Sequence, residues 1–132
     1  MRGHSFPGRV KSKAYKKHRA ILDKLFKKFK KQNKARKLIF VSHVPPKDTR
    51  LDKIWMKAPK EVRGKHFGSK LARRMINKYQ PILNICGHVH EAWGKQKIRK
   101  TLSVNHGAVL DKRAAIITLE GKSPPKVKFI RT

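Results

Sequence analysis

The sequence predicts an α/β domain, and three observations carry that prediction. Two apolar runs of strand length, Leu38–Ser42 and Pro81–Cys86, each stop at or just before a histidine. Two segments, Lys13–Lys34 and Ser69–Tyr79, repeat their apolar residues at three- and four-residue steps. Beyond residue 100 the period shortens to two, with Leu102 and Val104 alternating against Thr101 and Ser103. Helices and strands interleaved in this way describe a sheet with helices laid on it.

Residues 1–12 read as a basic extended arm, because Gly3, Pro7 and Gly8 interrupt any regular period. Its bases are Arg2, Arg9 and Lys11. Residues 13–132 form the domain proper. In its first helix His18, Ile21, Leu22, Leu25, Phe26 and Phe29 make one stripe, expected to dock on the sheet. Lys13, Lys16, Lys17, Lys24, Lys27, Lys28 and Lys31 cover the rest, and Asn33 is a stop signal.

The strand at Leu38–Ser42 ends at His43, where Pro45-Pro46 forbids its continuation. Asp48, Asp52 and Trp55 follow in a stretch without a clear period; Trp55 is read as a core anchor rather than a base-stacking platform. Ser69 caps the second helix. Leu71, Ala72, Met75 and Ile76 form its inner face, with Lys70, Arg73, Arg74 and Lys78 directed outward. Trp93-Gly94 reads as a turn, and Lys95, Lys97, Arg99 and Lys100 as a basic cluster after it. Ala114–Leu119 and Val127–Phe129 are strands around a turn at Gly121–Pro125. The sum is about five strands and two helices in one domain, with no internal repeat.

The chemistry lies in Cys86-Gly87-His88-Val89-His90-Glu91. In an extended segment residues i and i+2 share a side, roughly 6.6 Å apart, so two imidazoles can serve one metal ion or two adjacent ones. Strand carboxyl ends are where ligands gather in open α/β sheets, and His43 occupies a second such end. Candidate metal ligands are therefore His43, His88 and His90. Cys86 is the one cysteine, so no internal disulfide forms, and its place in a strand suits a buried reduced thiol.

From Lys37 to Glu120 the chain resembles the C-terminal half of a calcineurin-like metallophosphoesterase. The resemblance rests on Ser42-His43-Val44-Pro45-Pro46, His66-Phe67-Gly68-Ser69, Gln80-Pro81, Cys86–Glu91 and the strand ending Asn105-His106-Gly107, in that order. It implies part of a phosphoesterase sandwich. It also implies that His43 and His88 are ligands of one metal of a binuclear centre, and His90 of the other. The family's remaining ligands, an Asp-Xaa-His, a Gly-Asp and an Asn-His pair, belong to an N-terminal half and are not found in place. Asn105-His106 has the right letters after, not before, the Gly-His pair.

Charge shapes the functional expectation. The 132 residues hold 36 Lys and Arg against 7 Asp and Glu, a formal charge of +29. Such a field opposes compaction unless a polyanion neutralises it, and phosphate backbones reward many bases at once. RNA contacts are expected at the bases of the arm and first helix and at Arg73, Arg74, Lys95, Lys97, Arg99 and Lys100. No run approaches a membrane span or a secretory core, which points to the cytoplasm. The expectation is a catalytically dead half-phosphoesterase, loss of activity being inferred from ligand supply. It would serve as an archaeal ribosomal protein bound to rRNA and neighbouring ribosomal proteins. It would have no resident cofactor, zinc or manganese at the histidines being the less favoured state. The alternatives are a metal-dependent phosphodiesterase completed by another chain, and a non-ribosomal RNA-binding protein.

Overall fold

The computed structural model describes residues 12–33 and 37–132. The arm, with Arg2, Arg9 and Lys11, lies outside the described residues apart from Ser12. Ser12 is the N-cap of helix α1 (Lys13–Gln32), its hydroxyl accepting the Tyr15 N–H at 3.1 Å. Asn33 closes the helix, its N–H bonded to the Phe29 carbonyl.

A four-stranded sheet holds β1 (Ile39–Val41), β2 (Leu83–Cys86), β3 (Gly94–Ile98) and β4 (Thr101–Asn105) in the order β1-β2-β4-β3. β1, β2 and β4 are mutually parallel; β3 runs antiparallel to β4. Helix α2 (Lys70–Tyr79) crosses over between β1 and β2. β5 (Arg113–Thr118) and β6 (Lys126–Arg131) form a separate antiparallel hairpin. The fold is thus α/β with two helices and six strands in two sheets, one strand more than the pattern predicts.

The extra strand is β3, placed at Gly94–Ile98 where a turn and a basic cluster were expected. Lys95 and Lys97 project to solvent from one face of this edge strand, while Ile98 is buried on the other. Lysine on an edge blocks further pairing and leaves too little apolar alternation to reveal a strand. Arg99 and Lys100 form the hairpin connection to β4, Arg99 at φ 54°.

The core cluster is Phe26, Met75 and Tyr79, with Leu22, Leu38, Phe40 and Leu71 packed on it. Phe26 stacks on Tyr79 at 4.7 Å and meets Phe40 edge-on at 5.1 Å. Asp23 joins the helices: Lys78 Nζ donates to its carboxylate at 2.7 Å, and so does the Tyr79 hydroxyl.

The expected apolar stripe of α1 docks only in part. Tyr15 and Phe26 are buried, whereas Ile21, Leu25 and Phe29 are 45%, 44% and 55% exposed and His18 is exposed too. The cause is the sheet's width: β1 is the last strand on that side, so the helix overhangs it. Ile39 and Val41 of that edge strand, with Ile116 on the hairpin, also remain open. Two outward assignments on α2 change. Arg73 turns into the preceding loop and donates to the carbonyls of Lys47 and Asp48 at 3.1 Å, and Lys78 is held by Asp23. Among the described residues no helix is long and apolar enough to cross a membrane.

Candidate metal centre

Three parallel strands end at the same edge of the sheet, and histidines follow each of them. His43 comes after β1, His88 and His90 after β2, and His106 after β4. Backbone pairing runs past the strands: Gly87 N–H donates to the His43 carbonyl at 3.0 Å, and His106 N–H to the Cys86 carbonyl at 3.2 Å. The topology therefore sets these residues side by side before any side chain acts.

His43 Nε2 and His88 Nδ1 are 3.1 Å apart, their rings crossed at 65°. A turn makes that approach possible. His88 sits at φ 67°, the left-handed region that a non-glycine residue adopts at a cost of roughly 1–2 kcal/mol. That turn sends the His88 ring back toward His43. Gly87 beside it is tightly flanked, since a Cβ there would lie 3.2 Å from His106 Nε2 and press on that ring. Burial, then the neighbouring His43 and His90, push the His88 pKa down, favouring the neutral ring that a metal ligand needs.

The loop carrying these histidines is pinned from below. Asn105, fully buried, donates to the Val89 carbonyl at 2.8 Å and accepts from Gly107 N–H at 3.0 Å. Asn84, also fully buried, fastens the end of β1 through the Phe40 carbonyl and Ser42 Oγ. Cys86 is buried as expected, its thiol pushed up to about 12 by burial and then by the charge of Asp52.

His90 takes a different course from the other two. Its Nδ1 lies 3.4 Å from Asp111 Oδ2, and its carbonyl accepts from Arg113 of the hairpin at 3.1 Å. The structure thus pairs His43 with His88 and leaves His90 with an acid. Among the described residues no three His, Cys, Asp or Glu converge on one point. His106 is not a ligand candidate in the sequence, because its Asn-His order does not match the family's. The usable signal was its position after a third parallel strand.

The spacing of the histidine pair suits a metal ion. Two ligand nitrogens at about 2.1 Å from one ion, separated by 90–110°, lie roughly 3.0–3.4 Å apart. The observed 3.1 Å falls within that window. The pair fits one ion, but it provides two of the four or more ligands required.

The loop between β1 and α2 has its own histidine, used differently. Asp52 is completely buried and gathers the N–H groups of Asp48, Thr49 and Gly68 at 2.8–3.1 Å. His66 Nδ1 meets the same carboxylate at 2.8 Å. A Cβ on Gly68 would lie 2.5 Å from Asp52 Oδ2 and 2.7 Å from Lys47 Cα, so only glycine fits. Pro45, Pro46 and Ser69 close the loop, Ser69 N–H donating to the Pro45 carbonyl at 2.7 Å.

The fold sets paired histidines at the carboxyl edge of a mostly parallel sheet. A family model described as metallophosphoesterase, calcineurin superfamily, matches residues 13–129, and the chain belongs to that family. One solved structure superposes with a TM-score of 0.64 at 24% identity, over 86% of this chain and 39% of its own. The crystal structure of TT1561 from Thermus thermophilus superposes with a TM-score of 0.51 at 14% identity, over 86% of this chain and 42% of its own. The chain therefore spans about two fifths of the length of these structures. No curated protein matches.

Proposed function

We propose that this chain is the histidine half of a metal-dependent phosphoesterase centre. It holds one divalent ion through His43 and His88 and takes its carboxylate ligands from outside these 132 residues. The observation that carries the reading is the 3.1 Å approach of His43 Nε2 and His88 Nδ1. Two exposed imidazoles brought together across a strained turn have no evident value to the fold. His90, held by Asp111, lies at hand for a second ion. A bound ion would supply a polarised phosphoryl oxygen and a deprotonated water. The chain's own contribution is to keep neutral nitrogens in place on a rigid sheet edge. The N-terminal carboxylate that the resemblance calls for has no counterpart here: Asp23 is the only acid before His43, and Lys78 and Tyr79 engage it.

Equilibrium dialysis against Zn²⁺ and Mn²⁺ tests this. One ion per chain is expected, with water in the positions that outside carboxylates would fill, lost in the His43→Ala/His88→Ala double variant. No uptake, or uptake unchanged in that variant, overturns it. Hydrolysis of a generic diester by the chain alone is expected to be absent, on ligand count.

A second reading keeps the fold without the chemistry: an RNA-binding protein of the archaeal ribosome, in contact with rRNA and neighbouring ribosomal proteins. The charge of +29 favours it, as do the exposed bases of α1 and of the β3–β4 hairpin. Arg73 leaves that surface, being committed to loop carbonyls. Co-sedimentation with ribosomal subunits, weakening by roughly 0.7–0.9 log units of affinity per log unit of salt for each phosphate neutralised, is its expected mark.

A further inference from the structure

Beside the histidine edge lies a cleft of about 360 Å³ that the metal site does not use. Arg50, Lys53, Trp55 and Met56 line one side, and Glu91 and Trp93 the other. Trp55 is 49% exposed and Met56 66%, so Trp55 is not the core anchor that its sequence context suggests. A large aromatic left open is informative when something holds it open. Here Trp55 Nε1 donates to the Glu91 carbonyl at 2.9 Å, which fixes the ring while leaving its surface in water. The loop that presents it is closed at its base. Ile54 N–H donates to the Lys65 carbonyl at 3.0 Å, and Gly64 N–H to the Ile54 carbonyl at 2.9 Å. Trp93 is committed elsewhere, with Arg113 over its ring at 5.1 Å and Phe129 against it at 5.2 Å.

We propose that this cleft binds an unstacked nucleobase of a single-stranded nucleic acid, stacked on Trp55. Met56 bounds the base, and Arg50 and Lys53 meet the flanking phosphates. Glu91, the one carboxylate lining the cleft, is an acceptor suited to an exocyclic amino group. A pre-set aromatic face flanked by cations is how proteins bind single strands without reading their sequence. The short turn His90–Ala92 joins the cleft to the metal edge, so the base's own strand passes the histidines. The inference names the class of phosphodiester for the reading above and depends on it for where the phosphate goes. Base binding itself needs no metal.

The test uses the metal-free chain and three fluorescein-labelled octamers of equal charge: oligo(rA), oligo(dA) and an abasic deoxyribose-phosphate strand. Base-bearing octamers are expected to bind about tenfold more tightly than the abasic one, the effect of roughly one stacked base, and to quench tryptophan emission. The tighter of the two base-bearing octamers names the source. Trp55→Ala should equalise all three affinities, leaving the abasic value unchanged. Trp55→Phe should keep the preference but lose most of the quenching. Equal binding of all octamers by the native chain, or a preference intact in Trp55→Ala, overturns the base site while the metal reading stands. Loss of metal uptake in His43→Ala/His88→Ala alongside intact base preference separates the two in the other direction. Binding by an acidic aromatic peptide that competes fully with the octamers, when they show no base preference, would assign the cleft to a protein instead.

Discussion

Two histidine pairs, built from similar parts, serve opposite ends in this molecule. His66 meets Asp52, a carboxylate with no exposed surface, which also receives three backbone N–H groups. His43 meets His88, an exposed imidazole on a left-handed residue. The first arrangement satisfies a buried charge and closes a loop. The second leaves two good ligand nitrogens facing each other, and at most one hydrogen bond can join two neutral rings there. A fold gains from the first and gains little from the second. This is the contrast that the proposed metal role of the exposed pair requires.

The largest effect should follow removal of the structural partner. Asp52→Ala leaves three loop N–H groups and the His66 ring without their acceptor, so a loss of about 3 kcal/mol is expected in urea denaturation. The loop from Pro45 to Ser69 should become the first site of proteolysis, and the Trp55 cleft should be lost with it. Equal destabilisation by Asp52→Ala and by His43→Ala/His88→Ala would show that both pairs hold the fold, and would erase the distinction.

The placement of the histidine edge is legible in the chain. His43, His88 and His90 announced themselves because apolar runs stop at them, and a strand's direction fixes where its last residue lies. Asp52 was not legible as an organising centre. An acid in a loop looks the same whether it faces water or gathers N–H groups, because its partners are backbone and carry no letter. β3 escaped for a related reason: its pairing partner is β4, while its outward side chains are lysines. The α1 stripe was read as fully docked since periodicity reports which face is apolar, not how wide a surface awaits it. Trp55 reads as a core anchor from residue type alone, and only the Glu91 carbonyl shows what holds it at the surface.

A smaller effect belongs to Asp23, which ties α1 to α2. Its carboxylate is held below the usual range, first by the hydrogen bond from Lys78 and next by that from Tyr79, with burial opposing. The ionised form is thus favoured by folding. Its contribution is complete above the unfolded value near 3.8 and fades as pH falls through the lower folded value. Asp23→Asn should cost about 1 kcal/mol at pH 7, given partly exposed partners. The difference from the native chain should shrink toward zero as pH falls through the lowered folded value. A difference that persists there would mean that shape, not charge, joins the helices.

The smallest effect is also the sharpest on the contrast between the pairs, since its sign is opposite. His88 holds φ 67°, where a side chain on L-residue backbone crowds the following carbonyl. Glycine adopts that conformation without strain, though it adds freedom to the unfolded chain. Setting roughly 1–2 kcal/mol of strain against roughly 0.5–1 kcal/mol of added unfolded-state entropy leaves a net gain of about 0.5 kcal/mol for His88→Gly. The ring removed is exposed and hydrogen-bonds to His43, so little packing is forfeited. His88→Gly should therefore raise the urea midpoint slightly while abolishing metal uptake, which is the signature of a residue retained for chemistry at the expense of stability. His66→Gly, made in parallel, should lower the midpoint, because that ring is half-buried on Asp52. If His88→Gly lowered the midpoint as far as His66→Gly does, the strained turn would be part of the scaffold. The two pairs would then differ in exposure but not in purpose.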